Sequence, residues 1–103
     1  MENLPYTVNY TETNKETKLC FSGQLIINYI EKITALVNEK LQADKDLVVE
    51  IDKPESIDVT FIQLVLAVKA TIKASGKDVS INTELSDELK TLVKNSGFNY
   101  VLN

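Results

Sequence analysis

Apolar residues recur along this chain at a spacing that switches between two and three-to-four, and this switching constrains the fold more than any motif does. YTVNY sets Tyr6, Val8 and Tyr10 on one face and Thr7 and Asn9 on the other, the period of a half-buried strand. The polar run TETNKET breaks the pattern. KLCFSG resumes it with Leu19 and Phe21, so the two runs are expected to pair as an antiparallel hairpin closing at Gly23. From Gln24 the period becomes helical, with Ile26, Ile30, Ile33, Val37 and Leu41 on one stripe and Glu31, Lys32, Glu39 and Lys40 mostly turned away. DLVVEI then predicts a central strand covered on much of both faces, ended by Lys53 and Pro54. A second helix is expected from Asp58 to about Ser75, where Gly76 supplies the left-handed residue that stops it. DVSI adds a short strand through Val79 and Ile81. Ser86, with Thr83 as the alternative, caps a last helix carrying Leu85, Leu89, Leu92 and Val93, which Gly97 ends before the tail FNYVLN.

Strands separated by helices need crossover connections, which set those strands parallel, so the order β-β-α-β-α-β-α predicts an α/β sandwich with a largely parallel sheet. At 103 residues, with no internal repeat and no linker, one domain over 1–103 is expected. The 11 basic residues are scattered and outnumbered by 15 acidic ones, for a formal charge of −4. No basic face is available to neutralise phosphates, so neither nucleic acid nor an anionic membrane is expected as a partner. The lone cysteine, Cys20, cannot form an internal disulfide, which fits a reducing compartment and a cytoplasmic location. MENLPYTVNY carries no basic start and no apolar core, and no apolar run approaches the ~18 residues of a membrane span, so neither a leader nor an anchor is expected.

The chain lacks histidine, the usual general base and the favoured transition-metal ligand, and with it any Cys-His pair. Neither phosphate-cradling glycine loop is present, because the only glycines, Gly23, Gly76 and Gly97, each sit at an element boundary. Asp44, Asp46, Asp87 and Glu88 read as solvated or helix-terminal charge, with no spacing that argues for a metal. The expectation is a non-enzymatic protein with no cofactor.

ESIDVTFIQLVLAVK, residues 55–69, is more informative. With Phe61 at zero and about 100° per residue, Leu64, Val65, Val68 and Ile72 fall within about 60° and form the core stripe. Val59, Ile62, Gln63, Leu66 and Ala70 fall on the far side. Each large apolar side chain left wet there forgoes up to ~1.5–3 kcal/mol of burial, which a partner surface can recover in part. The competing reading is that neighbouring helices cover the flanks, Ile62 more readily than Leu66. Asp58 is placed to cap the helix, with Thr60 in the first turn beside unpaired backbone N–H groups. Thr60 is a candidate phosphate acceptor and Ser56 a second one on the same loop. A phosphate beside an apolar patch disrupts association.

LCFSGQLIINYIEKITALVNEKL, DLVVEIDKPESIDVTFIQLVLAVKATIKASGKDVSI and LKTLVKNSGFNYVL together resemble the STAS domain, the family of bacterial anti-sigma factor antagonists, over residues 18–102. That family places an Asp, one residue, then Ser or Thr at the start of its second helix, with a leucine-rich helix and Gly-Lys following; here these are Asp58, Val59, Thr60 and Gly76-Lys77. The resemblance implies a mixed four- to five-stranded sheet with helices packed mainly on one face. It also implies a small binding protein that docks a serine kinase or anti-sigma factor-like partner through Asp58, Val59, Ile62, Gln63 and Leu66, with Thr60 as the phosphorylated residue. The departure is Phe61, where phosphorylated members usually carry Gly; its place on the core stripe predicts that it packs inward. Other relatives are unphosphorylated subunits of transporter ATPases or of chemotaxis and histidine-kinase complexes, and these set the alternative.

Overall fold

The first alternating segment forms β1 (Tyr6–Glu12), antiparallel to β2 (Glu16–Leu25), with Tyr6 opposite Gly23 and Glu12 opposite Thr17. The structure is a computed structural model and describes residues 4–95. The chain continues through α1 (Ile30–Lys40), β3 (Asp46–Asp52), β4 (Ser56–Ile57), α2 (Val59–Ala74), β5 (Val79–Glu84) and α3 (Asp87–Asn95). β3 lies between β2 and β5, parallel to both, and β4 pairs with the far end of β2, giving a mixed five-stranded sheet in the order β1-β2-β3-β5. The expected helix stop at Gly97 and the tail FNYVLN lie outside the described residues.

Cross-strand partners share a face, so the register sorts the sheet into rows. Val8, Phe21 and Ile51 form one row, and Tyr10, Leu19, Val49 and Ile81 the next. These strand residues join Ile33 and Val37 of α1, Phe61, Val65, Val68 and Ile72 of α2 and Val93 of α3 in one core, so the helices cover one face. Asn9, Cys20, Glu50 and Asn82 form a row on the other face, where Lys18 and Glu50 pair at 2.9 Å. The sequence expectation for β3 is thus half right. The strand is central, but only Leu47, Val49 and Ile51 are buried, while Val48 and Glu50 stand half-buried on the open face.

The first helix departs from expectation too. It starts at Ile30 rather than Gln24, because β2 runs on to Leu25 and pairs there with Ile57 of β4. Gly23 makes this extension possible. Its φ is +83°, and a Cβ on it would lie 2.5 Å from the Pro5 carbonyl oxygen, so β1 and β2 approach there only because the side chain is absent. The Gln24 amide donates to that same carbonyl at 2.7 Å. Lys53, with φ of +44°, turns the chain from β3 towards β4, and its amide donates to the Glu84 carbonyl at 2.8 Å. Ser86 caps α3, its hydroxyl accepting from the Leu89 amide at 3.2 Å, and Leu85 precedes the helix and packs on the core.

Candidate interaction surface at the second helix

The connections leaving β2 and β4 meet at the start of α2, and Asp58 sits at the meeting point. Its extended backbone, φ −127° and ψ −179°, marks it as the N-cap. One carboxylate oxygen, Oδ1, accepts from the Thr60 amide at 3.0 Å and from the Thr60 hydroxyl. The other, Oδ2, accepts from the Ile27 amide at 2.7 Å, in the turn between β2 and α1. The Asp58 amide itself donates to the Leu25 carbonyl at 3.2 Å. One residue therefore ties the end of β2, the following turn and the first turn of α2 together. Partial burial would raise the Asp58 carboxyl. Hydrogen bonds from the Thr60 hydroxyl and from the Ile27, Thr60 and Phe61 amides outweigh it and hold the group below the ordinary aspartate range.

Thr60 is half-buried, and its hydroxyl hydrogen is directed at Asp58. Phe61 points inward, fully buried, with its ring edge-on to Phe21 at 5.1 Å and 72°. Val59 and Leu66 stand out from the helix, 44% and 38% exposed, and Gln63 is exposed between them. Ile62 is a correction: expected on the outer face, it is 3% exposed and belongs to the core. The buried residues Phe61, Ile62, Val65, Val68 and Ile72 centre about 25–30° round from Phe61 towards Ile62 on a wheel of about 100° per residue. That rotation brings Ile62 under the fold and leaves Leu64, on the opposite flank, only half-buried.

Ile27 was missed by sequence reasoning. It is 63% exposed, and its amide is held by the residue that caps α2, so an apolar side chain from a second element stands at this surface. The available signal was the adjacent pair Ile26-Ile27, which cannot share one helical stripe. Ser56, the second candidate acceptor, lies in β4, half-buried opposite Gln24.

The rest of the molecule offers less chemistry. Among the described residues no group of His, Cys, Asp and Glu is arranged to hold a metal, and no helix is long and apolar enough to cross a membrane. Burial, aided by the Glu50 and Asp52 carboxylates, pushes the Cys20 thiol up and away from its nucleophilic form. An open depression of about 410 Å³ lies beside Lys53, Pro54, Glu84, Leu85 and Ser86, and none of the site residues lines it.

No family model matches the sequence, and no curated protein does. Solved structures do resemble the fold. An antisigma-factor antagonist STAS domain from Rhodobacter sphaeroides superposes with a TM-score of 0.57 and 17% identity, covering 79% of this chain and 89% of that one. The anti-sigma factor antagonist SpoIIAA in its unphosphorylated form superposes with a TM-score of 0.68 and 15% identity, covering 91% and 84%. At such low identity the likeness speaks for the backbone, and the conclusion it carries is that this chain has the fold of a STAS domain.

Proposed function

We propose that this protein is a bacterial, cytoplasmic, non-enzymatic signalling module of the anti-sigma factor antagonist type, one STAS-like domain over 1–103. It docks a serine kinase or anti-sigma factor-like protein through Asp58, Val59, Gln63 and Leu66, with Ile62 supporting them from beneath, and is switched by phosphate on Thr60. The observation that carries this reading is the hydroxyl of Thr60 standing at the head of α2 beside exposed Val59, with Leu66 further along the same face. In the switching step Thr60 Oγ1 bonds to the γ-phosphorus of ATP, the bond to the ADP oxygen breaks, and the hydroxyl proton passes to a base.

The electrostatics favour disruption. A phosphate at a helix N-terminus gains ~0.3–1 kcal/mol from the macrodipole, whereas two unit charges about 4 Å apart at a surface dielectric near 20 repel by about 4 kcal/mol. Asp58 is the nearby charge, so repulsion wins.

Phe61 supports a second reading. Phosphorylated members usually carry Gly after the acceptor, which admits a kinase backbone closely, and this chain carries a buried phenylalanine instead. On that reading the same helix holds a constitutive assembly, such as a transporter ATPase or a chemotaxis or histidine-kinase complex, and is never phosphorylated. Incubation of the pure protein with its co-purifying kinase and ATP, followed by phosphosite mapping, separates the two. Label on Thr60 that is absent from Thr60→Ala supports the switch. An unlabelled protein that stays bound supports the assembly. In either case Leu66→Asp is expected to stay folded and to release the partner.

A further inference from the structure

We propose that Asp58 is a clasp that assembles the docking surface from two separate elements, and that a phosphate on Thr60 opens it. The second half rests on the reading of Thr60 as the modified residue; the first does not. The two carboxylate oxygens do different work. Oδ1 serves α2 alone, through the amide and hydroxyl of Thr60. Oδ2 reaches across to the Ile27 amide at 2.7 Å, 31 residues away, and no other described residue accepts that hydrogen. Ile27 lies outside α1 and carries the most exposed large apolar side chain described, and this bond ties its backbone to the head of α2. The turn is otherwise held by Leu25 opposite Ile57, by the Tyr29 amide on the Ile26 carbonyl at 3.0 Å and by a longer 3.4 Å bond from the Ile30 amide to the Ile27 carbonyl, none of which engages the Ile27 amide.

A phosphate ester at Thr60 Oγ1 acts on the clasp twice. It removes the hydroxyl hydrogen that Oδ1 accepts, and it sets about −1.5 to −2 charges against the carboxylate. The phosphate then competes for the Thr60 amide as an anionic cap, Asp58 swings away, and the Ile27 amide loses its acceptor. The surface is thus dismantled from within the protein as well as repelled at the partner. Phosphate at this position thereby acts on Ile27, a residue it is not bonded to, through Asp58.

Asp58→Asn separates the two functions. Asparagine caps helices as well as aspartate does, but its second polar atom is a donor and cannot accept from Ile27. Amide hydrogen exchange followed by NMR is the readout, with Val49 and Ile51 of β3 reporting global opening. In Asp58→Asn the Ile27 amide is expected to exchange about tenfold to a hundredfold faster, the range for loss of a hydrogen bond to a charged group, while Thr60, Val49 and Ile51 keep their protection. Thr60→Val, which leaves Oδ2 untouched, is expected to leave Ile27 protected. Chain carrying phosphothreonine at position 60, installed during synthesis, is expected to behave at Ile27 as Asp58→Asn does. Unchanged exchange at Ile27 in Asp58→Asn overturns the clasp, and so does acceleration of Ile27, Val49 and Ile51 in step. Unchanged exchange in the phosphothreonine chain overturns its opening by phosphate. Failure of any kinase to label Thr60 would sink the signalling reading and leave the Asp58→Asn result standing, so the two can be told apart.

Discussion

Ile62 and Leu66 lie one turn apart on α2, and their environments predict unequal costs for the same truncation. Ile62→Ala removes three carbons from a site 3% exposed. At ~0.8 kcal/mol per methylene the transfer term is about 2.4 kcal/mol, and the residual cavity brings the loss to about 3–4 kcal/mol. Leu66→Ala also removes three carbons, but the side chain is 38% exposed and faces no tightly packed layer, so little cavity forms. Alanine is also the better helix former by a few tenths of a kcal/mol, and the net cost falls to about 1 kcal/mol. Urea unfolding followed by far-UV circular dichroism reads the difference. With m near 2 kcal/mol/M the two midpoints should stand about 1 M apart, Ile62→Ala lower. If Leu66→Ala loses as much stability as Ile62→Ala, the outer face of α2 is misassigned, and the proposed docking surface goes with it.

Three further outcomes follow from the geometry. Thr17 is fully buried with a hydroxyl that finds no partner among the described residues, so Thr17→Val is expected to stabilise by about 1 kcal/mol and raise Tm by roughly 4–8 °C; a lower Tm in calorimetry contradicts the unsatisfied hydroxyl. Gly23→Ala and Gly76→Ala both place alanine at positive φ, +83° and +77°, but only at Gly23 does the new Cβ meet backbone, so Gly23→Ala should cost more than the roughly 1 kcal/mol expected at Gly76. Comparable denaturation midpoints for the two would count against the close approach of β1. The Asp58 carboxyl lies below its ordinary value of 3.8, so its contribution to stability is complete above that pH and is lost as pH falls through the folded value. The stability gap between wild type and Asp58→Asn should shrink over that acid range, and a side-chain carboxyl titrating by NMR at or above the ordinary value would remove the basis for it.

Much of the fold is legible because its signals are repetitive and local. Tyr6, Val8 and Tyr10 alternate, Ile33 and Val37 recur at helical spacing, and Ser86 stands in front of its helix, so strands, helices and one cap can be placed from neighbours alone. What escapes is whatever depends on a residue far along the chain. β4 is two residues long and exists only through its pairing with Gln24 and Leu25, and no period can be read in two residues. The same pairing pulls Gln24 and Leu25 into β2 and delays α1. Ile26 fits the helical stripe by spacing, but it precedes the helix that Ile30 begins. The phase of α2 escapes for a related reason, since an ideal wheel fixes angles between residues but not which direction the sheet lies in.

Asp58 shows where the local view stops. From sequence it is an N-cap, and the bond to the Thr60 amide is the one such a residue is known to make. That bond uses one oxygen of two. A cap needs only the first, and asparagine or serine supplies it about as well, so capping alone gives no reason for a carboxylate here. Here the bonds to Thr60 and to Ile27 use two separate acceptor oxygens, and a carboxylate is the capping side chain that offers two, where asparagine, serine and threonine each have one. Aspartate thus serves a contact 31 residues away as well as the cap. The residue type therefore carries information about the β2–α1 turn that only the folded chain makes readable. The Thr60 hydroxyl, bonded to Oδ1, sits on the same carboxylate that holds the Ile27 amide through Oδ2.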